Sequence, residues 1–275
     1  MVNAREHARP VGLSVLVNFV VSPVLAVGLA HLFLNGDVGY AFGLYMIALI
    51  PTSGMTAAWT GLAGGDLEAA LVALASNLPV AVLVPPLYLS ALVGGTELFD
   101  PVALYRQLAI AVVVPMVAGN LTRRYLRFRY RLAGFDDLKP IFGGVSSIGV
   151  MLIVFIATAM QSTAILSDPL TSAGTILPLV IFYALITSAS ALIGRYLLTT
   201  ARSIALIYAT SMRNLSIALA IVVAADSIPT EAVLPIALGY LVQPPLGALY
   251  RQHRVDVVDG GLSPRELIRS KLPVF

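Results

Sequence analysis

Thr52-Ser53-Gly54-Met55-Thr56 and Thr210-Ser211-Met212-Arg213-Asn214 are polar interruptions in the middle of two long apolar runs, residues 40–62 and 203–225. Each is followed at nearly the same distance by a double proline. Pro85-Pro86-Leu87 begins 32 residues after Ser53, and Pro244-Pro245-Leu246 begins 33 residues after Ser211. Pro51 removes a backbone donor and Gly54 weakens the helix, so residues 51–54 are expected to unwind in mid-run. Unwound backbone at that depth of a bilayer is tolerated where it faces protein or a water-filled cavity.

The runs on either side make the bilayer the solvent. Of 275 residues, 58% are hydrophobic and 11% charged, against roughly a quarter charged in a soluble domain. Mean hydropathy is +0.90. Apolar runs cover residues 11–34, 40–62, 69–93, 102–121, 140–160, 175–198, 203–225 and 232–250, each 19 to 25 residues long. That is the length of a spanning helix, and eight such spans of about 20 residues account for the apolar fraction. The expectation is an all-α polytopic membrane protein of about eight transmembrane helices. The first run is too long for a signal-peptide core and is read as a retained span.

Basic residues test the count independently. Fifteen of the seventeen Lys and Arg fall at the N-terminus, in 122–139, around 195–202, or in the 251–275 tail. The alternate loops, 35–39, 94–101, 161–174 and 226–231, contain none. The positive-inside rule therefore places both termini in the cytoplasm, in the plasma membrane. The basic stretch Arg123 to Arg131 is read as a cytoplasmic loop lying on anionic headgroups, with no nucleic-acid partner. Arg106 and Arg213 are left over, the first near the outer end of a span and the second in the middle of one. With no Cys in the chain, disulfides and thiolate sites are excluded.

By this topology the run with Ser53 crosses outside to inside and the run with Ser211 crosses the other way. The two units form an inverted repeat with two broken helices crossing in the core, the architecture of secondary transporters. The candidate substrate or ion ligands are the hydroxyls Thr52, Ser53, Thr56 and Ser216, the amides Asn18, Asn77 and Asn214, and Arg213. One hydroxyl alone commonly bonds back to its own helix; a cluster beside a break supplies neutral oxygen ligands. A guanidinium at the bilayer centre costs at least ~2.5–3.5 kcal/mol, so Arg213 must pair or line a polar cavity. No Asp or Glu lies inside a span to pair with it, which points to carbonyls, hydroxyls, amides or a bound anion. The same absence leaves no carboxylate for an intramembrane enzyme or an Asp/Glu proton relay.

Asn18-Phe19-Val20-Val21-Ser22-Pro23 resembles the Asn-Trp-x-x-x-Pro of arsenical-resistance arsenite permeases, and Trp59 with Leu62-Ala63-Gly64-Gly65-Asp66 resembles their following segment. Residues 51–66 also resemble the broken helix of bile-acid:sodium symporters, and Ser211-Met212-Arg213-Asn214 their Gly-Met-Gln-Asn. The resemblance covers essentially the whole chain. It implies ten spans in two inverted repeats, a core of six helices and a panel of four. This chain would begin at the third helix, keeping the core (11–93 and 175–250) and a partial panel (102–160). It implies a secondary transporter of a small anionic or oxyanionic solute, with sodium or a proton as coupling ion and no other cofactor. A homodimer and the lipid bilayer are the expected partners.

The departures are informative. The permeases' cysteine falls at Ser53 and their glutamate at Ser216, so arsenite or antimonite efflux would have to proceed without its soft ligand. The symporters bind sodium through positions occupied here by Thr56 and Ala57, and their glutamate and glutamine fall at Ala209 and Arg213. Thr56 can still ligate sodium, while Arg213 puts a fixed charge where a cation would sit. This reading replaces one coupling cation by arginine. A non-transporting membrane receptor or scaffold is the reading from a different class. The cysteine-free chain gives a clean topology test: Thr96→Cys and Ser227→Cys are expected to react with an impermeant maleimide on intact cells, and Ser263→Cys only after permeabilisation.

Overall fold

The computed structural model describes residues 4–34, 36–50, 52–93, 101–160, 162–167, 169–224 and 228–254. Pro51 and the tail beyond Arg254 lie outside the described residues. The described residues are helical, with no strands among them. The first span is α1 (Ala4–Leu16), a π-helical turn (Val17–Val21) and α2 (Ser22–Phe33). Pro23 cannot donate back into the π-helical turn, and the Phe19 carbonyl one turn before it accepts from the Tyr88 hydroxyl at 2.8 Å instead.

The second span is broken into α3 (Val38–Leu49) and α4 (Met55–Leu62), and α5 (Leu67–Val93) returns unbroken despite Pro79, Pro85 and Pro86. Asp37 caps α3 by accepting from the Tyr40 N–H at 3.0 Å. Gly64, at φ +70, turns the chain out of α4. Asp66 caps α5 through the Ala69 N–H at 2.9 Å.

Pro101–Met160 is helical throughout and forms α6. The expected loop at 122–139 is therefore corrected: its Arg, Leu, Tyr and Ala residues are good to moderate helix formers, with no proline between Pro115 and Pro140 to stop the helix. The stretch is not straight. Gln107 and Phe155 would stand about 72 Å apart along a straight helix. Gln107 instead bonds Ala224, at one end of the 10-residue helix α11 (Leu215–Ala224), while Phe155 and Leu215, at its other end, line one cavity. So α6 is bent, and both of its ends approach α11.

Two short helices, α7 (Ser162–Ser167) and α8 (Pro169–Gly174), occupy the expected loop at 161–174. Next come α9 (Ile176–Leu197), α10 (Thr200–Ser211), then α11, a 3₁₀ turn (Thr230–Ala232) and α12 (Val233–Gln252). Among the described residues, five helical stretches are long and apolar enough to cross a membrane: Ala8–Phe33, Leu67–Leu92, Val102–Leu126, Ser172–Leu197 and Thr230–Gln252. The pairs α3/α4 and α10/α11 add two broken spans. Against them pack α1 on α5 and α10, α9 on α10 and α12, and α3 on α2 and α12.

Close approach of α3 to α12 depends on Gly43. A Cβ there would lie 2.5 Å from the Ala232 carbonyl oxygen and 3.0 Å from Pro235. Gly43→Ala is expected to destabilise the fold by about 1–3 kcal/mol, seen as a lower melting temperature in detergent with unchanged helix content.

Candidate functional site at the crossing of two broken helices

The two breaks pass each other antiparallel. Thr52 and Arg213 form an isolated β-bridge, and the Ser53 N–H donates to the Met212 carbonyl at 2.8 Å. Four half-helices therefore meet at one point, α3 and α10 by their C-termini, α4 and α11 by their N-termini. Carbonyl ends carry partial negative charge and amide ends partial positive charge.

The carbonyl end of α3 is occupied by Arg213. Its side chain is 1% exposed. Nη2 donates to Ser22 Oγ at 2.8 Å and Nη1 to the Ile50 carbonyl at 3.4 Å. Ser22 Oγ donates in turn to the Ala48 carbonyl at 2.9 Å. No described carboxylate meets the guanidinium, and its Nε has no partner. The charge is thus balanced by helix-end carbonyls rather than by an acid.

Gln243 holds the backbone of the second break. Its Oε1 accepts from the Arg213 N–H at 2.8 Å and the Tyr183 hydroxyl at 2.9 Å, and its Nε2 donates to the Arg213 carbonyl at 3.1 Å. One side-chain amide thereby bonds both backbone groups of Arg213, whose carbonyl also accepts from the Leu215 N–H at 3.1 Å.

The carbonyl end of α10 is met by neutral groups. Thr56 Oγ1 donates to the Tyr208 carbonyl at 3.0 Å and lies 2.6 Å from Thr52 Oγ1, which reaches the Met212 carbonyl at 3.4 Å. Asn18, in the π-helical turn, donates to the Ala209 carbonyl at 3.1 Å and to Asn77 Oδ1 at 2.9 Å. Asn77 Nδ2 is held by Ser14 Oγ and the Ala73 carbonyl. Asn18 Oδ1 is buried without a partner.

The amide ends of α4 and α11 open on a cavity of about 720 Å³. Ser53, Asn214, Ser216, Tyr240 and Gln243 give it a polar side; Met55, Leu215, Leu241, Met151 and Phe155 give it an apolar one. Ser53 Oγ accepts from the Met55 N–H and Asn214 Oδ1 from the Ile217 N–H, capping the two half-helices. Ser216 and Tyr240 hydroxyls pair at 2.7 Å. The size suits a small-molecule site. The eight candidate residues thus separate: Thr52, Thr56, Asn18 and Asn77 gather at the end of α10, Ser53, Asn214 and Ser216 line the cavity, and Arg213 sits between, its backbone at the cavity and its guanidinium on α3.

Symmetry of this kind, two broken helices crossing end to end, is shared by transporters built from inverted repeats. The sequence profile described as the sodium bile acid symporter family matches residues 1–168. The chain belongs to that family. It is thereby a member of a family of transporters, not enzymes. Among relatives of this symporter-family chain, the uncharacterized protein YbaS of Bacillus subtilis is 28% identical over 90% of this chain and 79% of its own length. The arsenical-resistance protein Acr3 of Corynebacterium glutamicum is 24% identical over 86% of this chain and 67% of its own. Sodium/bile acid cotransporter 7 of Danio rerio is 32% identical, over 41% of this chain and 32% of its own.

Gln243, Ser22, Tyr183 and Tyr240 were not singled out from the sequence. Gln243 had a signal, an amide inside an apolar run immediately before Pro244-Pro245; Ser22 sits within the quoted Asn18 to Pro23 stretch. Gln243→Leu leaves the Arg213 N–H and the Tyr183 hydroxyl without Gln243 Oε1 and is expected to destabilise the protein by on the order of 2–4 kcal/mol, measured as a fall in melting temperature larger than that of Ser216→Ala.

Proposed function

We propose that this chain is a secondary active transporter of a small organic anion, with Arg213 serving as a built-in cation. The observation that carries the reading is the paired arrangement at the crossing. Two amide ends face a cavity of about 720 Å³, and one of the two carbonyl ends already holds a guanidinium. Converging amide ends favour a negatively charged group at the polar side of the cavity. The apolar side favours a carbon skeleton attached to it.

The end of α10 is the natural place for a mobile coupling cation, sodium or proton-carrying. Thr52, Thr56, Asn18 Oδ1 and the carbonyls of Tyr208, Ala209 and Met212 supply hard oxygen ligands there, the class sodium prefers, although Ala57 and Ala209 bring no side-chain oxygen. Transport is the rocking of the core (11–93 and 175–250) against the partial panel (102–160), in the plasma membrane with both termini cytoplasmic. Arsenite efflux is the weaker reading. Ser53 brings a hydroxyl, not a thiolate, to the cavity, and the chain holds no cysteine at all. A non-transporting receptor would keep the cavity and lose counter-flow.

Counter-flow in proteoliposomes tests this. Preloaded organic anions are expected to exchange with external label, with weak sodium dependence in the wild type. Arg213→Gln is expected to lose at least about tenfold in transport efficiency without sodium, a difference of 1.4 kcal/mol, and to regain activity as sodium is raised. Uptake that is strictly sodium-dependent in the wild type and unchanged by Arg213→Gln contradicts the proposal.

A further inference from the structure

The start of α6 and the far end of α11 enclose a second cavity, of about 450 Å³, walled by Ala103, Arg106, Gln107, Ile110, Ala220 and Ala224. It is separate from the crossing. Two polar groups in it are unspent. Arg106 is exposed, and no described group pairs with it. Gln107 Nε2 donates to the Ala224 carbonyl at 3.2 Å, but its Oε1 is buried and accepts nothing. A fitting ligand brings an anion for the guanidinium and, beside it, a hydroxyl or ammonium for the amide oxygen.

The remaining walls are apolar and continue onto the outer face of α6. Ile110 is 53% exposed and Val114, one turn further on, 57%. Arg106 stands five residues into α6, about 7.5 Å along its axis from Pro101, a depth from which a long side chain reaches headgroup level. None of the loops on this side, by the positive-inside reading, carries a Lys or Arg, so Arg106 meets little competition for an anion there. Ala103, Ala220 and Ala224 keep the groove open because none has a side chain beyond Cβ.

We propose that this groove binds a bilayer phospholipid. Its phosphate sits on Arg106, a hydroxyl or ammonium of the headgroup donates to Gln107 Oε1, and an acyl chain runs past Ile110 and Val114. The lipid becomes a wedge between α6 and the broken span, at the joint where the two must move in transport.

The test uses the delipidated full chain in detergent, with native mass spectrometry and melting as readouts. Phosphatidylglycerol is expected to be retained and to raise the melting temperature, diacylglycerol and free glycerophosphate to do neither. Arg106→Gln is expected to weaken phosphatidylglycerol by about fivefold, the worth of one basic residue at a membrane surface; the residue is exposed, so the fold is unaffected. Gln107→Leu is expected to abolish the preference for phosphatidylglycerol over phosphatidylmethanol, which lacks the hydroxyl donor. Equal stabilisation by glycerophosphate overturns the lipid assignment in favour of a soluble phosphate. Unchanged lipid retention in Arg106→Gln overturns the site itself.

Discussion

A positive charge buried where no described carboxylate meets it constrains everything around it. Arg213 is tolerable only if carbonyl oxygens replace its water, because a desolvated cation left alone is far costlier than the few kcal/mol that insertion scales report. Carbonyls become available only where a helix ends. The break after Leu49 therefore serves two purposes: it frees Ile50 and Ala48 carbonyls for the guanidinium directly and through Ser22, and it leaves Ser53 free to pair with Met212 on the opposite break. Each break completes the other.

The supporting helices follow from that requirement. α12 must pass close enough for Gln243 to clamp both backbone groups of Arg213, and its approach is set by Gly43 against Ala232 and Pro235 and by Gly239 against Leu215. The first span must bring Ser22 to one helix end and Asn18 to the other. The π-helical turn from Val17 to Val21 carries Asn18 and ends immediately before Ser22, and such turns commonly mark functional positions in a helix. On the far side of α10, Trp59 stacks on Tyr208 with ring centroids 6.1 Å apart, and the Tyr208 hydroxyl bonds the Gly247 carbonyl. Those contacts tie α4, α10 and α12 together below the crossing.

Much of this was legible because hydrophobic length and polar interruptions are local signals. The breaks at residues 50–54 and 212–214 stand where Thr52-Ser53-Gly54 and Met212-Arg213-Asn214 interrupt apolar runs, and the helical class follows from run length alone. The stretch 122–139 reads as a loop in the sequence yet is helical, because polarity and helix propensity disagree there: arginine is disfavoured in a bilayer but still favours helix. Which helix end takes Arg213 was not legible. It depends on Ser22, 191 residues away in sequence, and no periodicity encodes a contact of that separation. The division of the hydroxyls was hidden for the same reason. Neighbours Ser53 and Thr52 point away from each other within one break, Ser53 toward the cavity and Thr52 toward the end of α10.

Equilibrium binding of radioactive sodium to the purified chain addresses the guanidinium's role without requiring the solute to be known. If Arg213 occupies what would otherwise be a cation site, Arg213→Gln binds one more sodium ion per chain than the wild type, with the folded state of both verified by melting. Equal stoichiometry in the two proteins would contradict the account.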